Sequence, residues 1–446
     1  MSGGFATVLL LLAFQQGAPS AQPEPKVAPA SAADPWYASH RDEFLGLYIH
    51  LHSHPELSYQ EVKTAARVAA ELKRAGAKVT TGVDKLGVVG LIENGPGPVV
   101  LVRTDMDALP VVEQTGLPYA SKVKARDSQG REVGVMHACG HDMHMTCWVG
   151  TARVLSSFKD RWAGTLIFIA QPAEEIGTGA RMMLQDKLFE RFGKPDYCLA
   201  LHCDSLLGFG DISYTEGLAL ANVDSVDITV RGKGGHGAAP HTTVDPVVLA
   251  ARIVLDLQMI VSRERNPLDP CVVTVGSIHG GTKHNIIPDE VKLQLTVRTT
   301  KDSVRKETLE AIERIAKAAA MGAKAPEPVV KLDPGEFTPA CINDIPLTRR
   351  TVSMFKELLG PEHVRERPPI MGGEDFARYA GHDEQRIPIF LYFLGTASPE
   401  RIAEAARAGG RQLPSMHSSE YYPIPEPSIR TGVLTMSMAV LNLVGK

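Results

Sequence analysis

No apolar stretch of this chain reaches the roughly 20 residues that a helical membrane crossing takes, so the sequence offers no stable membrane span. Positive charge is not in excess either. Lys and Arg number 47 against 51 Asp and Glu, a formal net charge of -4. That balance excludes bulk attraction to nucleic acid or to an anionic membrane. Cysteine is sparse, with six residues in 446 and no disulfide-framework spacing. Cys147, Cys198, Cys203, Cys271 and Cys341 stand in apolar contexts and read as small buried hydrophobes. Glycine and proline are plentiful instead, at 40 and 31, as the tight turns of a multi-loop enzyme require. A composition of 44% hydrophobic and 22% charged residues is that of a soluble globular protein long enough for two domains.

The N-terminus departs from this profile. Residues 5–14 (FATVLLLLAF) form a short apolar run followed by small residues and a Pro/Ala-rich spacer. The run fits a secretory h-region, with cleavage near Ser20 or Ala21, although no Lys or Arg precedes it. Residues 1–21 are therefore expected to be a signal peptide and residues 22–34 a disordered linker. The chain is expected to be secreted or periplasmic, and cytoplasmic if the segment is not a signal.

Helical spacing of apolar residues predicts helices over 41–54 and 60–75. Apolar runs at 88–92, 99–104, 165–171 and 197–203 alternate with helical patterns, which indicates an α/β sheet covered on both faces. From about residue 221 the pattern changes. Alternating strands are expected at 224–230, 272–277, 291–298 and 328–332, with helices at 244–261 and 303–321. This is an α+β sandwich of normal domain size. Residues from 346 again read as helix, strand and helix. The expected organisation is a mixed-sheet α/β domain over 35–220 and 335–446, with a smaller ferredoxin-like domain, 221–334, inserted into it.

Residues 136–144 hold Cys139, the imidazoles of His137, His141 and His144, and the carboxylate of Asp142. Cys139 and His141 are metal-type ligands two residues apart, and Gly140 between them lets the backbone turn. Asp105 and Asp107 follow one predicted strand, Glu174 and Glu175 another, and His202 ends a third. Sites in open α/β sheets gather at such carboxyl ends. With His417 in the stretch Ser415, Met416, His417, Ser418, these groups suffice for a two-metal hydrolytic site. One of two adjacent glutamates can bind metal while the other takes a proton from water. An isolated Glu-Glu pair would read as solvated surface. Its position after an apolar strand and Gln171-Pro172 argues otherwise.

In this order the motifs resemble the M20 metallopeptidase family, and within it the amidohydrolase branch of hippurate hydrolases, N-acyl-amino-acid amidohydrolases and plant auxin-conjugate hydrolases. The resemblance runs from about residue 41 to 443. It includes residues 232–241, 280–282, 285–288 and Gly373-Glu374-Asp375-Phe376, where Gly373 stands in place of the family's frequent Ser. It implies a binuclear metal site with Cys139, His141, Glu175, His202 and His417 as ligands and Glu174 as general base. Asp107 would orient a ligand imidazole. His236, on a lid or dimerisation domain, would bind the substrate carbonyl, and in related enzymes it acts across a homodimer interface. Asn285 and Arg298 would hold the substrate carboxylate. His137 and His144 are left as supporting or packing residues, and Glu374 and Asp375 as pocket-lining residues or caps of a helix near Phe376.

The expected activity is hydrolysis of N-acyl amino acids or small peptide-like conjugates, with two divalent ions, Zn first and then Mn, Co or Ni. Three other readings stand beside it. One is a dipeptidase or carboxypeptidase of the same superfamily. Another is a non-catalytic metal- or ligand-binding protein, which would have no need of Glu174. The last is a cysteine hydrolase using Cys139 as nucleophile. The polar segments 381–386 and 400–412 put direct transfer of substrate identity in question.

Overall fold

The structure, a computed structural model, describes residues 30–381 and 386–446. The expected signal peptide and most of the expected linker lie outside the described residues, as do residues 382–385 of the polar loop. One boundary is corrected. Residues 30–34 belong to helix α1 (Ala30–Ser53), not to a linker. Pro and Ala made this stretch read as a spacer, but tertiary contacts decide it. Asp34 accepts from Arg430 at 2.7 Å, and Tyr37, Phe44, Leu47, Tyr48 and Leu51 of the same helix are buried.

The chain continues through α2 (Val62–Arg74), β1 (Lys78–Val83), β2 (Gly87–Asn94), β3 (Val99–Asp105), α3 (His141–Ser157), β4 (Gly164–Gln171), β5 (Tyr197–Gly208) and β6 (Ile212–Tyr214). The inserted part follows as β7 (Asn222–Arg231), α4 (Pro246–Met259), β8 (Cys271–Gly280), β9 (Glu290–Thr299), α5 (Asp302–Gly322) and β10 (Val329–Leu332). The chain then returns through α6 (Ile345–Leu359), β11 (Val364–Glu366), β12 (Ile389–Ala397) and α7 (Pro425–Val444).

The large sheet has the order β1-β2-β4-β3-β5-β12-β6-β11. Its centre is parallel, β4 with β3, β3 with β5 and β5 with β12. The pairs of β1 with β2, β2 with β4, and β6 with β12 are antiparallel, so the sheet is mixed. The two-residue period of a strand divides its apolar side chains between two cores. Val100 and Val102 of β3 and Leu166 and Phe168 of β4 pack on the face covered by α1, α2, α3, α6 and α7. Leu101, Ile167 and Ile169 pack on the other, with Phe376 and Tyr379. Burial on both faces is why these strands read as unbroken apolar runs.

The small sheet is antiparallel, in the order β8-β9-β7-β10. Val226, Ile228 and Val230 of β7 and Leu293, Leu295 and Val297 of β9 face α4 and α5. The strand–helix–strand–strand–helix–strand order is the expected ferredoxin-like sandwich. Short strands Gly217–Leu220 and Cys341–Asn343, before and after the insertion, pair with each other and hold its two connections side by side.

Helix α3 is buried on almost every side and meets α7 at two glycines. A Cβ on Gly150 would lie 2.3 Å from Val433 Cγ2, and one on Gly432 would lie 2.3 Å from Cys147 Sγ. Neither helix could come this close with a larger residue. Gly150→Val is expected to destabilise the fold by about 1–3 kcal/mol through overpacking, measured as a lower denaturation midpoint against the parent.

Candidate metal centre

The carboxyl end of β3 delivers Asp105 and Asp107, and the turn after β4 delivers Glu174 and Glu175. His202 lies within β5, not at its end as expected, because the strand runs on to Gly208 beside the cavity. Cys139 and His141 flank Gly140, whose φ of +82° is the left-handed conformation that glycine adopts without strain. A Cβ there would also lie 3.0 Å from Cys203 Sγ. The loop carrying His417 is tied to this turn by His417 N–H donating to Ala138 O at 2.8 Å, and His417 itself has φ +66°.

These segments bring five of the sequence-predicted residues together. Cys139 Sγ lies 3.6 Å from His202 Nε2 and 3.3 Å from His417 Nε2. His417 Nε2 is 3.5 Å from Glu175 Oε2, and His141 Nε2 is 3.8 Å from Glu175 Oε1. Ligand atoms of Cys139, His141 and His202, and those of Cys139, Glu175 and His417, each fall within 4.8 Å of one another. Cys139 is common to both groups. Glu174 joins from the side, its Oε2 3.9 Å from His141 Nε2.

The hydrogen bonds around these groups suit metal binding. Two imidazoles can donate through Nδ1, His141 to Asp107 O and His202 to Cys203 O, each at 2.8 Å. That tautomer leaves both Nε2 lone pairs aimed into the cluster. His141 Nε2 and Glu175 Oε1 are buried and have no hydrogen-bond partner among the described residues. Buried polar atoms are rarely left so, and a cation in the cluster would satisfy both. The S, N and O donor set fits a borderline divalent transition metal.

Local electrostatics follow the crowding of carboxylates. Burial alone would lower the His141 imidazole, but Asp105, Asp107 and Glu175 raise it to about 10, so a cation entering the cluster would displace a proton from Nε2 to reach that lone pair. Burial, then Glu374 and Glu175, push the Glu174 carboxyl well above its usual range. Burial, then Glu175 and Glu174, push the Cys139 thiol up as well. A cation beside Cys139 would offset those carboxylates and favour its thiolate.

Asp107 has several partners. Its Oδ1 accepts from Glu174 N–H at 3.1 Å, and its Oδ2 from Glu175 N–H at 3.0 Å and Ser58 Oγ at 2.6 Å. The carboxylate also lies 3.5 Å from His141 Nδ1. His144 uses both nitrogens, on Asp105 Oδ1 at 2.7 Å and Cys203 N–H at 2.8 Å, so it supports the site and does not face it. His137 is buried with neither nitrogen bonded among the described residues, and burial lowers its imidazole to about 4.

The sequence reading assigned no role to Arg103. Its buried guanidinium bonds Asp105 at 2.6 Å, Glu374 at 2.8 Å and Asp375 at 3.0 Å. The available signal was an arginine inside a buried strand, which must find carboxylates there. Glu374 both lines the cavity and caps the turn Asp375–Ala380, accepting from Phe376 N–H at 3.0 Å.

A cavity of about 650 Å³ opens over the cluster, between the large sheet and the inserted one. Leu220, Val223, Ile370, Leu391 and Phe393 give it apolar walls. Gly373 lines it too, and a Cβ there would lie 2.4 Å from Val223 Cγ2, which accounts for glycine at this position. Arg298 reaches the cavity, donating to Met371 O at 2.9 Å. His236 and Asn285 do not. Both are exposed, His236 on a short strand, Gly235–His236, that pairs with Ile286–Ile287, and Asn285 in the turn just before that partner, where Gly237 N–H donates to Asn285 O at 2.9 Å.

Comparison with known proteins agrees with this architecture. Residues 101–407 match peptidase family M20/M25/M40. Thermostable carboxypeptidase 1 of Saccharolobus solfataricus is 34% identical over 89% of this chain and 94% of its own length. The N-acetylcysteine deacetylase of Bacillus subtilis is 37% identical over 78% of this chain and 87% of its own length. Among solved structures, a dinuclear metal-binding M20 peptidase of Bacillus subtilis superposes with a TM-score of 0.71 at 30% identity, covering 91% of this chain and 99% of that one. With motif order, fold and overall likeness in agreement, the chain belongs to peptidase family M20/M25/M40.

Proposed function

We propose that this chain hydrolyses the amide bond of an N-acyl amino acid or a small peptide-like conjugate, giving a carboxylic acid and an amino acid. One observation carries the reading. The donor atoms of Cys139, His141, Glu175, His202 and His417 converge beside a Glu174 carboxylate that lines the same cavity. A metal-storage or binding site would have no use for that additional carboxylate.

The five converging residues would hold two divalent cations, Zn first and then Mn, Co or Ni. When bound, the cations supply Lewis acidity, which polarises the amide carbonyl and eases deprotonation of water. Glu174 takes the proton that water loses as its oxygen joins the acyl carbon. It then gives that proton to the leaving nitrogen, so that acid and amine are released. Asp107 holds the Glu174 and Glu175 backbone in place and orients His141. Arg298 has no carboxylate partner within ion-pair distance among the described residues, and its guanidinium suits the substrate carboxylate.

His236 and Asn285 enter the reading through a second copy of the chain, since they stand together away from this cavity. The inserted domain offers surface for such a pairing. Edge strand β8 is exposed at Ile278, and α4 exposes Val248 and Leu255. Export is part of the same proposal and rests on the apolar run at residues 5–14. A carboxypeptidase action is the second reading, favoured by the likeness to thermostable carboxypeptidase 1.

A panel of N-acetyl, N-benzoyl and unmodified dipeptide substrates separates the two readings by which amide is cut. Chelation is expected to abolish activity and added Zn, Mn, Co or Ni to restore it. Glu174→Gln should lower kcat by about 10²–10⁴-fold while metal content, measured by elemental analysis, stays at the parent's value. Parental activity in that variant would sink the mechanism. Arg298→Ala should raise KM by roughly 10–100-fold with little change in kcat, the signature of lost carboxylate binding.

A further inference from the structure

The turn that carries Glu174 and Glu175 is held by its backbone N–H groups. Ala173 has φ +54°, a left-handed conformation that costs a non-glycine residue about 1–3 kcal/mol. On the carbonyl side the turn bonds to itself. Gly177 N–H donates to Glu174 O at 2.7 Å and Gly179 N–H to Ala173 O at 3.1 Å. On the amide side three successive N–H groups point outward, the arrangement that makes an anion-binding concavity. Asp107 takes those of Glu174 and Glu175. The third, from Ala173, goes to Glu61 Oε1 at 2.8 Å.

Glu61 stands far from the turn in sequence and no part of the reading above uses it. It is fully buried at the start of α2, and its Oε2 has no hydrogen-bond partner among the described residues. No Lys, Arg or His among the described residues offsets its charge. Burial first, and then the neighbouring Asp107, push its carboxyl up to about 8. An uncompensated buried carboxyl is costly. If packing were its only role, an apolar residue would fill the space better.

We infer that Glu61 is a positioning residue for the proposed hydrolysis. By accepting the Ala173 N–H bond it fixes the turn from which Glu174 and Glu175 project. The inference rests on the roles proposed above for those two glutamates. What matters is the reach of an acceptor oxygen, not its charge. Glutamine keeps that reach, whereas aspartate keeps the carboxylate but withdraws it by one methylene.

The test compares Glu61→Gln, Glu61→Asp and Glu174→Gln as metal-saturated full-length enzymes. Glu61→Gln should keep kcat within about threefold of the parent. Glu61→Asp should lose about tenfold or more in kcat, as small misplacements of reacting groups do, with KM within twofold and a melting temperature near the parent's. Parental kcat in Glu61→Asp overturns the inference, and so does an equal loss in both Glu61 variants. A role in charge balance alone would reverse the order and make Glu61→Gln the impaired one. Should the Asp variant not fold, a tenfold loss in Glu61→Gln still overturns the inference and a parental kcat supports it. Activity retained in Glu174→Gln defeats the underlying mechanism, and the role of Glu61 falls with it. An inactive Glu174→Gln beside a parental Glu61→Asp defeats the Glu61 inference alone.

Discussion

Negative charge is concentrated at one end of the large sheet. Asp105, Asp107, Glu174, Glu175, Glu374 and Asp375 converge there, mostly buried, and Arg103 is the guanidinium that meets three of them. Uncompensated, each such group would cost several kcal/mol to desolvate. The local architecture answers that demand. Backbone amides of Glu174, Glu175 and Ala180 face carboxylate oxygens, and His141 and His144 lie against Asp105 and Asp107. What remains unbalanced faces the cavity, where divalent cations would sit.

Much of this was legible in the sequence because metal-site chemistry restricts residue type. A thiol, imidazoles and paired carboxylates at strand ends leave few interpretations once they occur in one chain. The buried central strands were legible for a related reason, since burial on both faces demands unbroken apolar runs. Strand β1 was not, because it is a partly exposed edge strand and its Thr80, Thr81 and Gly82 make no apolar run. Helix α1 began earlier than expected because contacts distant in sequence, with Arg430 and the core, hold its N-terminal part.

The parts of the site that composition did not reveal act through the backbone or through distance. Glu61 meets an amide hydrogen, and any residue but proline at position 173 could supply one. No spacing rule marks such a contact. Arg103 pairs with Glu374 and Asp375 across some 270 residues of sequence, a separation that only the folded sheet closes. His236 and Asn285 show the opposite case. Sequence motifs drew them toward the site, while the fold of a single chain keeps them on the inserted domain.

Helix α3 begins at His141 and runs without a break past Gly150 to its seat against α7. Nine helical steps separate those residues, roughly 14 Å along a rod that cannot stretch. A change that moves the rod in the core therefore moves the His141 imidazole in the cluster. A substitution in that seat would therefore be felt at the position of a candidate metal ligand, so the demands of packing and of ligand placement bear on one helix.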